Sequence, residues 1–114
     1  MARRKERREF FRRDCLMLCR CEAKGFQPQG HIIDVSYGGA GIVGTKQLPA
    51  AGAELLVKIL LPGSTIELLA RVVRLGSKAE KRGLADFAVE FLNSLEERQS
   101  KLARFIPQHN AVEN

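Results

Sequence analysis

The sequence predicts an all-β protein: a small antiparallel barrel, completed by one helix near the C-terminus. Three observations carry that expectation. Five to seven short runs rich in apolar and β-branched residues follow one another between Phe10 and Leu92. Stretches bearing glycine and proline separate them. After Leu92 the hydrophobic period changes from two to that of a helix. A chain of 114 residues, 45% hydrophobic and 28% charged, has room for one domain with a modest core.

The elements follow in order. Residues 1–9 are charged and aperiodic, and read as a flexible basic arm. Phe10 to Ala23 favours a strand centred on Leu16, Met17 and Leu18. KGFQPQG, Lys24 to Gly30, has the punctuation of a loop. HIIDVS, His31 to Ser36, is strand-like. YGGAGIVG, Tyr37 to Gly44, holds four glycines in eight residues, which fits a sharp turn and then a strand lying close to another group. Ala53 to Pro62 and Ser64 to Gly76 flank Pro62-Gly63 and read as a hairpin. In its second arm, alternation places Ile66, Leu68, Ala70, Val72 and Arg74 on one face. Glu67, Leu69, Arg71, Val73 and Leu75 take the other. Ser77 to Gly83 is a polar loop and Leu84 to Leu92 another strand. Ser94 and Glu97 have capping-box spacing. They open a helix over about 94–106, with Leu95, Leu102, Phe105 and Ile106 on one face and Pro107 ending it. This helix is expected to cover an open end or edge of the barrel. The domain thus runs over 10–107, and 108–114 form a polar tail.

Charge is unevenly spread. The formal net charge is +6, but residues 1–13 alone carry +5, from seven basic and two acidic side chains. The remaining 101 residues are close to neutral at +1. A barrel with a basic surface for nucleic acid is not indicated, whereas a basic arm is. No apolar run approaches the ~20 residues of a membrane-spanning helix. The N-terminus lacks the apolar centre of a secretory signal, so a cytoplasmic protein is expected.

Cys15, Cys19 and Cys21 lie within seven residues. Their odd number argues against a disulfide framework, and C-x3-C-x-C is not a standard zinc spacing. On a strand all three face one way, as a small apolar patch. His31 and His109 are isolated from any nucleophile or metal-ligand motif, so neither catalysis nor a metal site is expected. The glycines of GGAGIVG lack the strand-to-helix context of a dinucleotide fold.

Two stretches suggest anion binding. RREFFRR, Arg7 to Arg13, puts four arginines in seven residues. Arginine's planar fork matches phosphate and the O6/N7 edge of guanine. R-x-x-x-R occurs in three frames, Arg3/Arg7, Arg4/Arg8 and Arg8/Arg12. Only the last encloses Phe10-Phe11 and abuts the first strand. DVSYGG, Asp34 to Gly39, offers a complement. Asp34 and Ser36 share a face at i and i+2; a carboxylate accepts from guanine N1–H and N2–H2, and a hydroxyl donates to phosphate or backbone. Gly39 is free to take positive φ and leaves room for a ligand. Each stretch also has a plainer reading: a solvated basic segment, and a serine or Asx turn that closes a chain reversal.

In combination the two stretches resemble the signature of the PilZ domain, a family of bacterial receptors for cyclic di-GMP. That signature is R-x-x-x-R followed 20–30 residues on by D/N-x-S-x-x-G, here Arg8 to Arg12 and Asp34 to Gly39. ARVVRLG and FAVEF also look like the family's closing strands. The resemblance implies a six-stranded antiparallel barrel with a C-terminal helix. It implies that Arg8 and Arg12 clamp guanine and phosphate, that Asp34 and Ser36 contact the base, and that Gly39 shapes the turn. Arg7 stands where members that bind two stacked ligand molecules carry a further arginine. Arg74 falls near a position that faces ligand in relatives. CLMLCRC departs from the valine-rich first strand common in the family. The implied function is a receptor or adaptor in which ligand orders the N-terminal arm and presents a surface to a partner protein. The alternatives are a barrel that binds proteins but no nucleotide, and a nucleic-acid binder using its basic arm.

Overall fold

A computed structural model describes residues 13–25, 27–47, 49–76 and 85–106. It contains six strands and one helix: β1 (Arg13–Glu22), β2 (Gln29–Val35), β3 (Gly39–Thr45), β4 (Glu54–Leu61), β5 (Ser64–Leu75), β6 (Ala85–Phe91) and α1 (Leu95–Leu102). The strands close into a barrel in the order β1-β2-β3-β6-β5-β4, every neighbouring pair antiparallel. Closure removes the unpaired edges that an open sheet would present to other chains.

Alternation decides what lies inside. Leu55, Val57 and Ile59 of β4 face Ile66, Leu68, Ala70 and Val72 of β5 and Phe87, Val89 and Phe91 of β6, all buried. The intervening residues carry charge on the outer face. Lys58 bridges Glu22 at 3.2 Å and Glu67 at 3.9 Å, and Arg71 bridges Glu90 at 3.1 Å and Glu54 at 3.4 Å. Each bridge ties three adjacent strands, although exposed pairs of this kind contribute little individually. The β4–β5 hairpin turns at Pro62-Gly63, with Leu61 opposite Ser64, as expected.

Cys19 and Cys21 are fully buried in the core and Cys15 packs partly against it. A hydrogen bond with Cys19, together with burial, pushes the Cys21 thiol above its ordinary range. Among the described residues no group of His, Cys, Asp and Glu side chains is placed to hold a metal ion.

Strict alternation fails at four places where the pairing register slips by one residue. The extra residues lie at Cys15–Leu16 in β1, Ile33 in β2, Gly44 in β3 and Val73 in β5. The slip at Val73 corrects one expectation. Arg74 does not share the inward face of Val72; it is turned outward and exposed. A bulge inverts the in–out parity of everything beyond it.

The helix is also shorter than the expected 94–106. Ser94 Oγ accepts from Glu97 N at 3.2 Å as an N-cap. Glu97 does not close the capping box, because its Oε1 accepts from Asn93 Nδ2 at 3.2 Å. After Leu102 the chain tightens into a turn, in which Leu102 O accepts from both Phe105 N and Ile106 N, at 2.9 and 3.1 Å. Leu95 is 42% exposed, while Leu102 and Ile106 are fully buried in the barrel's core cluster. Leu102→Ala should therefore lower unfolding stability by about 2–5 kcal/mol, measured as a reduced urea midpoint with little change in slope.

Candidate ligand-binding site

The DVSYGG stretch spans the end of β2, a tight reversal and the start of β3. Ser36 N donates to Gly39 O at 2.9 Å. Ser36 Oγ accepts from Gly38 N at 3.1 Å and from Gly39 N at 3.2 Å. The side chain is buried. The expected shared face of Asp34 and Ser36 is thus not formed. β2 ends at Val35, and the serine hydroxyl is turned into the reversal it stabilises.

Gly39 also differs from expectation. Its φ is not positive. What demands glycine is the neighbouring strand, since a Cβ at this position would collide with the Val89 carbonyl oxygen of β6.

Tyr37, the chain's single tyrosine, went unread as a functional residue in the sequence. It is buried, and its hydroxyl donates to Ile106 O at 2.9 Å. Arg98 Nη1 of α1 donates to Tyr37 O at 3.1 Å, and Phe91 N donates to Gly38 O at 2.8 Å. The helix, its following turn and β6 hold the reversal from behind. This leaves the turn little freedom of its own.

Asp34 is the side chain of this stretch that the fold aims outward. Ile32 is fully buried, so unbroken alternation would send Asp34 into the core with it. The extra residue Ile33 inverts the parity, and Asp34 emerges half-buried on the outer wall. There Asp34 Oδ1 accepts from Gly41 N at 3.0 Å, which fixes the carboxylate across β3.

The register then connects residues that lie far apart in sequence. Asp34 is opposite Gly41, Gly41 opposite Ala88, and Ala88 opposite Arg74. Four strands thus contribute one rung, with a carboxylate at one end and a guanidinium at the other. Only a hydrogen and a methyl group lie between them. At a strand spacing of about 4.8 Å the rung is roughly 14 Å long. Arg71, two strand residues before Val73, is held between two glutamates, whereas Arg74 has no ion-pair partner among the described residues. Arg7, Arg8 and Arg12 lie outside the described residues. The described chain begins at Arg13, which pairs with Val35 of DVSYGG.

A family model of the PilZ domain matches residues 6–108. The chain belongs to the PilZ family. The barrel resembles solved members in fold. The Bacillus subtilis inhibitor of motility, MotI/DgrA, superposes with a TM-score of 0.69 at 20% identity, over 95% of this chain and 53% of that one. The PilZ domain of YcgR from Escherichia coli, solved with cyclic di-GMP, gives 0.66 at 18% identity, over 94% of this chain and 95% of that one. The PilZ domain of CeSA from a cellulose-synthesising bacterium gives 0.60 at 20% identity, over 91% and 99%. This PilZ chain spans about half the length of the MotI/DgrA structure. No curated protein matches it. Among its described residues no helix is long and apolar enough to cross a membrane.

If the β6 backbone is what requires Gly39, replacing that glycine harms the fold with no ligand present. Gly39→Ala should destabilise the ligand-free protein by about 1–3 kcal/mol, read as a lowered melting temperature. An unchanged melting temperature would assign the glycine to ligand contact instead.

Proposed function

We propose that this PilZ domain is a cytoplasmic, non-enzymatic receptor for cyclic di-GMP that signals through a partner protein. The observation that carries the reading is the outer rung from Asp34 to Arg74, adjoining the start of β1 at Arg13, the residue that follows the arginine motif in sequence. A guanine base laid on that rung meets a carboxylate suited to its N1–H and N2–H2 donors. At the far end it meets a guanidinium suited to stacking or to its acceptors. Arg8 and Arg12 supply the phosphate and guanine clamp that the family resemblance implies. Arg7 stands ready for a second, stacked ligand molecule. Ser36 and Gly39 serve the site by shaping the reversal that holds Asp34.

Magnitudes explain why both motifs are needed. Ordering about five arm residues costs on the order of 5–10 kcal/mol. Micromolar affinity requires about 8 kcal/mol net. Bidentate arginine contacts contribute about 1–3 kcal/mol each, so two arginines alone fall short. The anchored Asp34, stacking and phosphate charge must make up the difference. Binding is then coupled to ordering of the N-terminal arm, and the ordered arm forms a surface that a partner can recognise.

Calorimetric titration tests this reading. Wild-type protein stripped of ligand should bind cyclic di-GMP with low- to sub-micromolar affinity. Arg8→Ala, Arg12→Ala and Asp34→Ala should each abolish the signal, and Arg74→Ala should weaken it about tenfold. Arg3→Ala should change little, whereas a nucleic-acid arm would lose affinity at every arginine with a steep salt dependence. Two ligands per chain, falling to one in Arg7→Ala, would support the stacked arrangement. Absence of binding by the wild-type protein would overturn the proposal.

A further inference from the structure

One part of the outer wall carries leucine between charged neighbours. Leu69 lies between the buried Leu68 and Ala70, with Glu67 and Arg71 two residues to either side, and is 51% exposed. On β4 it faces Leu56, which is half-buried. On its other side Leu92 N donates to Leu69 O at 2.8 Å, one residue beyond the Ala70–Phe91 pair. Three leucines thus stand side by side across neighbouring segments, over roughly 10 Å. Asn93 Oδ1 accepts from Leu69 N at 2.8 Å, which brings the start of α1, with the exposed Leu95, beside the row. Single exposed leucines are ordinary on a surface, whereas an adjoining set marks a contact.

The row has an acidic border. Glu22 is opposite Leu56 on β1. Glu54, Glu67 and Glu90 stand two residues before Leu56, Leu69 and Leu92, and Glu96 and Glu97 follow Leu95. These are six of the 11 acidic residues after Arg13. Arg20, Lys58 and Arg71 bridge four of them, which leaves three of the six negative charges unmatched. Arg98 of α1 donates to Tyr37 O instead.

These features narrow what the wall can receive. The closed barrel has no free edge, so no partner strand is added here. A helix suits the row, since apolar residues at i, i+4 and i+7 cover about 10 Å of one face. Two copies meeting wall to wall would press like charges together. The chain's own basic arm does not reach it in the same molecule. Phe10 and Phe11 stand within three residues of Arg13, a reach of about 10 Å. The pairing from Arg13 through Val35, Ala40 and Val89 to Val72 puts β5 four strands, or about 19 Å, away.

We propose that this wall docks a basic amphipathic helix of a partner protein, with its apolar stripe on Leu56, Leu69, Leu92 and Leu95 and its cations against the glutamates. The inference takes from the reading above only that a partner protein exists. The surface itself stands on the fold, whether or not cyclic di-GMP binds.

The test is fluorescence anisotropy of a labelled synthetic helix built only of leucine and lysine, with the leucines along one face, titrated with the full chain in the absence of cyclic di-GMP. The wild-type protein should bind it with a Kd of about 10 μM or below. Leu69→Ser and Leu95→Ser should each weaken binding about tenfold. Glu67→Gln combined with Glu96→Gln should weaken it about threefold. Leu16→Ser, at a residue 73% exposed on β1 and away from the row, should leave it unchanged. All these side chains are exposed, so melting temperatures should hold. A scrambled peptide of the same composition should bind at least about tenfold more weakly. The proposal is overturned if the wild-type protein does not bind the helix, if the scrambled peptide binds equally, if Leu69→Ser and Leu95→Ser keep wild-type affinity, or if Leu16→Ser weakens binding as they do. Sedimentation of the full chain should show a monomer. Self-association that Leu69→Ser abolishes would assign the wall to a second copy and overturn the proposal too. With no cyclic di-GMP present, none of these outcomes bears on the receptor reading, and failure to bind cyclic di-GMP leaves the docking surface standing.

Discussion

Two extra residues decide where the charges of this barrel point. A small closed barrel has an apolar interior and a wet exterior, and along an uninterrupted strand every second residue is committed to one of them. Asp34 would follow Ile32 inward, and Arg74 would follow Val72. An unpaired carboxylate or guanidinium in such a core costs far more than a domain of this size can offset. The insertions at Ile33 and Val73 invert the parity and bring both groups out onto the same rung. The core remains apolar, and the charged rung appears on the wall outside it. Bulges are a common device for re-aiming a side chain beside a functional site.

Around that rung the structure is braced from within. Ser36 folds the reversal on itself, and Tyr37 ties it to the carbonyl of Ile106. Arg98 reaches from α1 to the Tyr37 carbonyl. Tyr37 and Ile106 stand 69 positions apart, so the turn that positions Asp34 depends on a segment far along the chain. A site built this way is largely formed before ligand arrives. On the proposed reading the cost of binding falls mainly on ordering the N-terminal arm, which would suit the arm to act as a switch.

The barrel was legible in the sequence because its elements are local. Alternating apolar residues in AELLVKILLP and STIELLARVVRLG, Pro62-Gly63 between them, and Ser94 before the helix are signals within a few residues of each other. The outward turn of Arg74 was not legible. It depends on how β5 pairs with β6, and nothing in RVVRLG marks Val73 as the extra residue. What holds Ser36 and Gly39 in place was legible only in part, for a related reason. Their motif is visible, but what constrains them is a backbone reversal and the Val89 carbonyl of a strand fifty residues away. The helix was overextended because Phe105 and Ile106 keep the helical period, although the turn after Leu102 does not keep the helix.

The central claim is that ligand lies on the outer wall along the rung shared by β2, β3, β6 and β5. Mapping backbone amide shifts of isotopically labelled protein by nuclear magnetic resonance, as cyclic di-GMP is added, tests it most directly. The account predicts the largest changes at Asp34, Gly41, Ala88 and Arg74, a contiguous band, with Leu55 to Ile59 of β4 on the opposite wall little affected. Changes centred on β4, or scattered without reference to the rung, would contradict it.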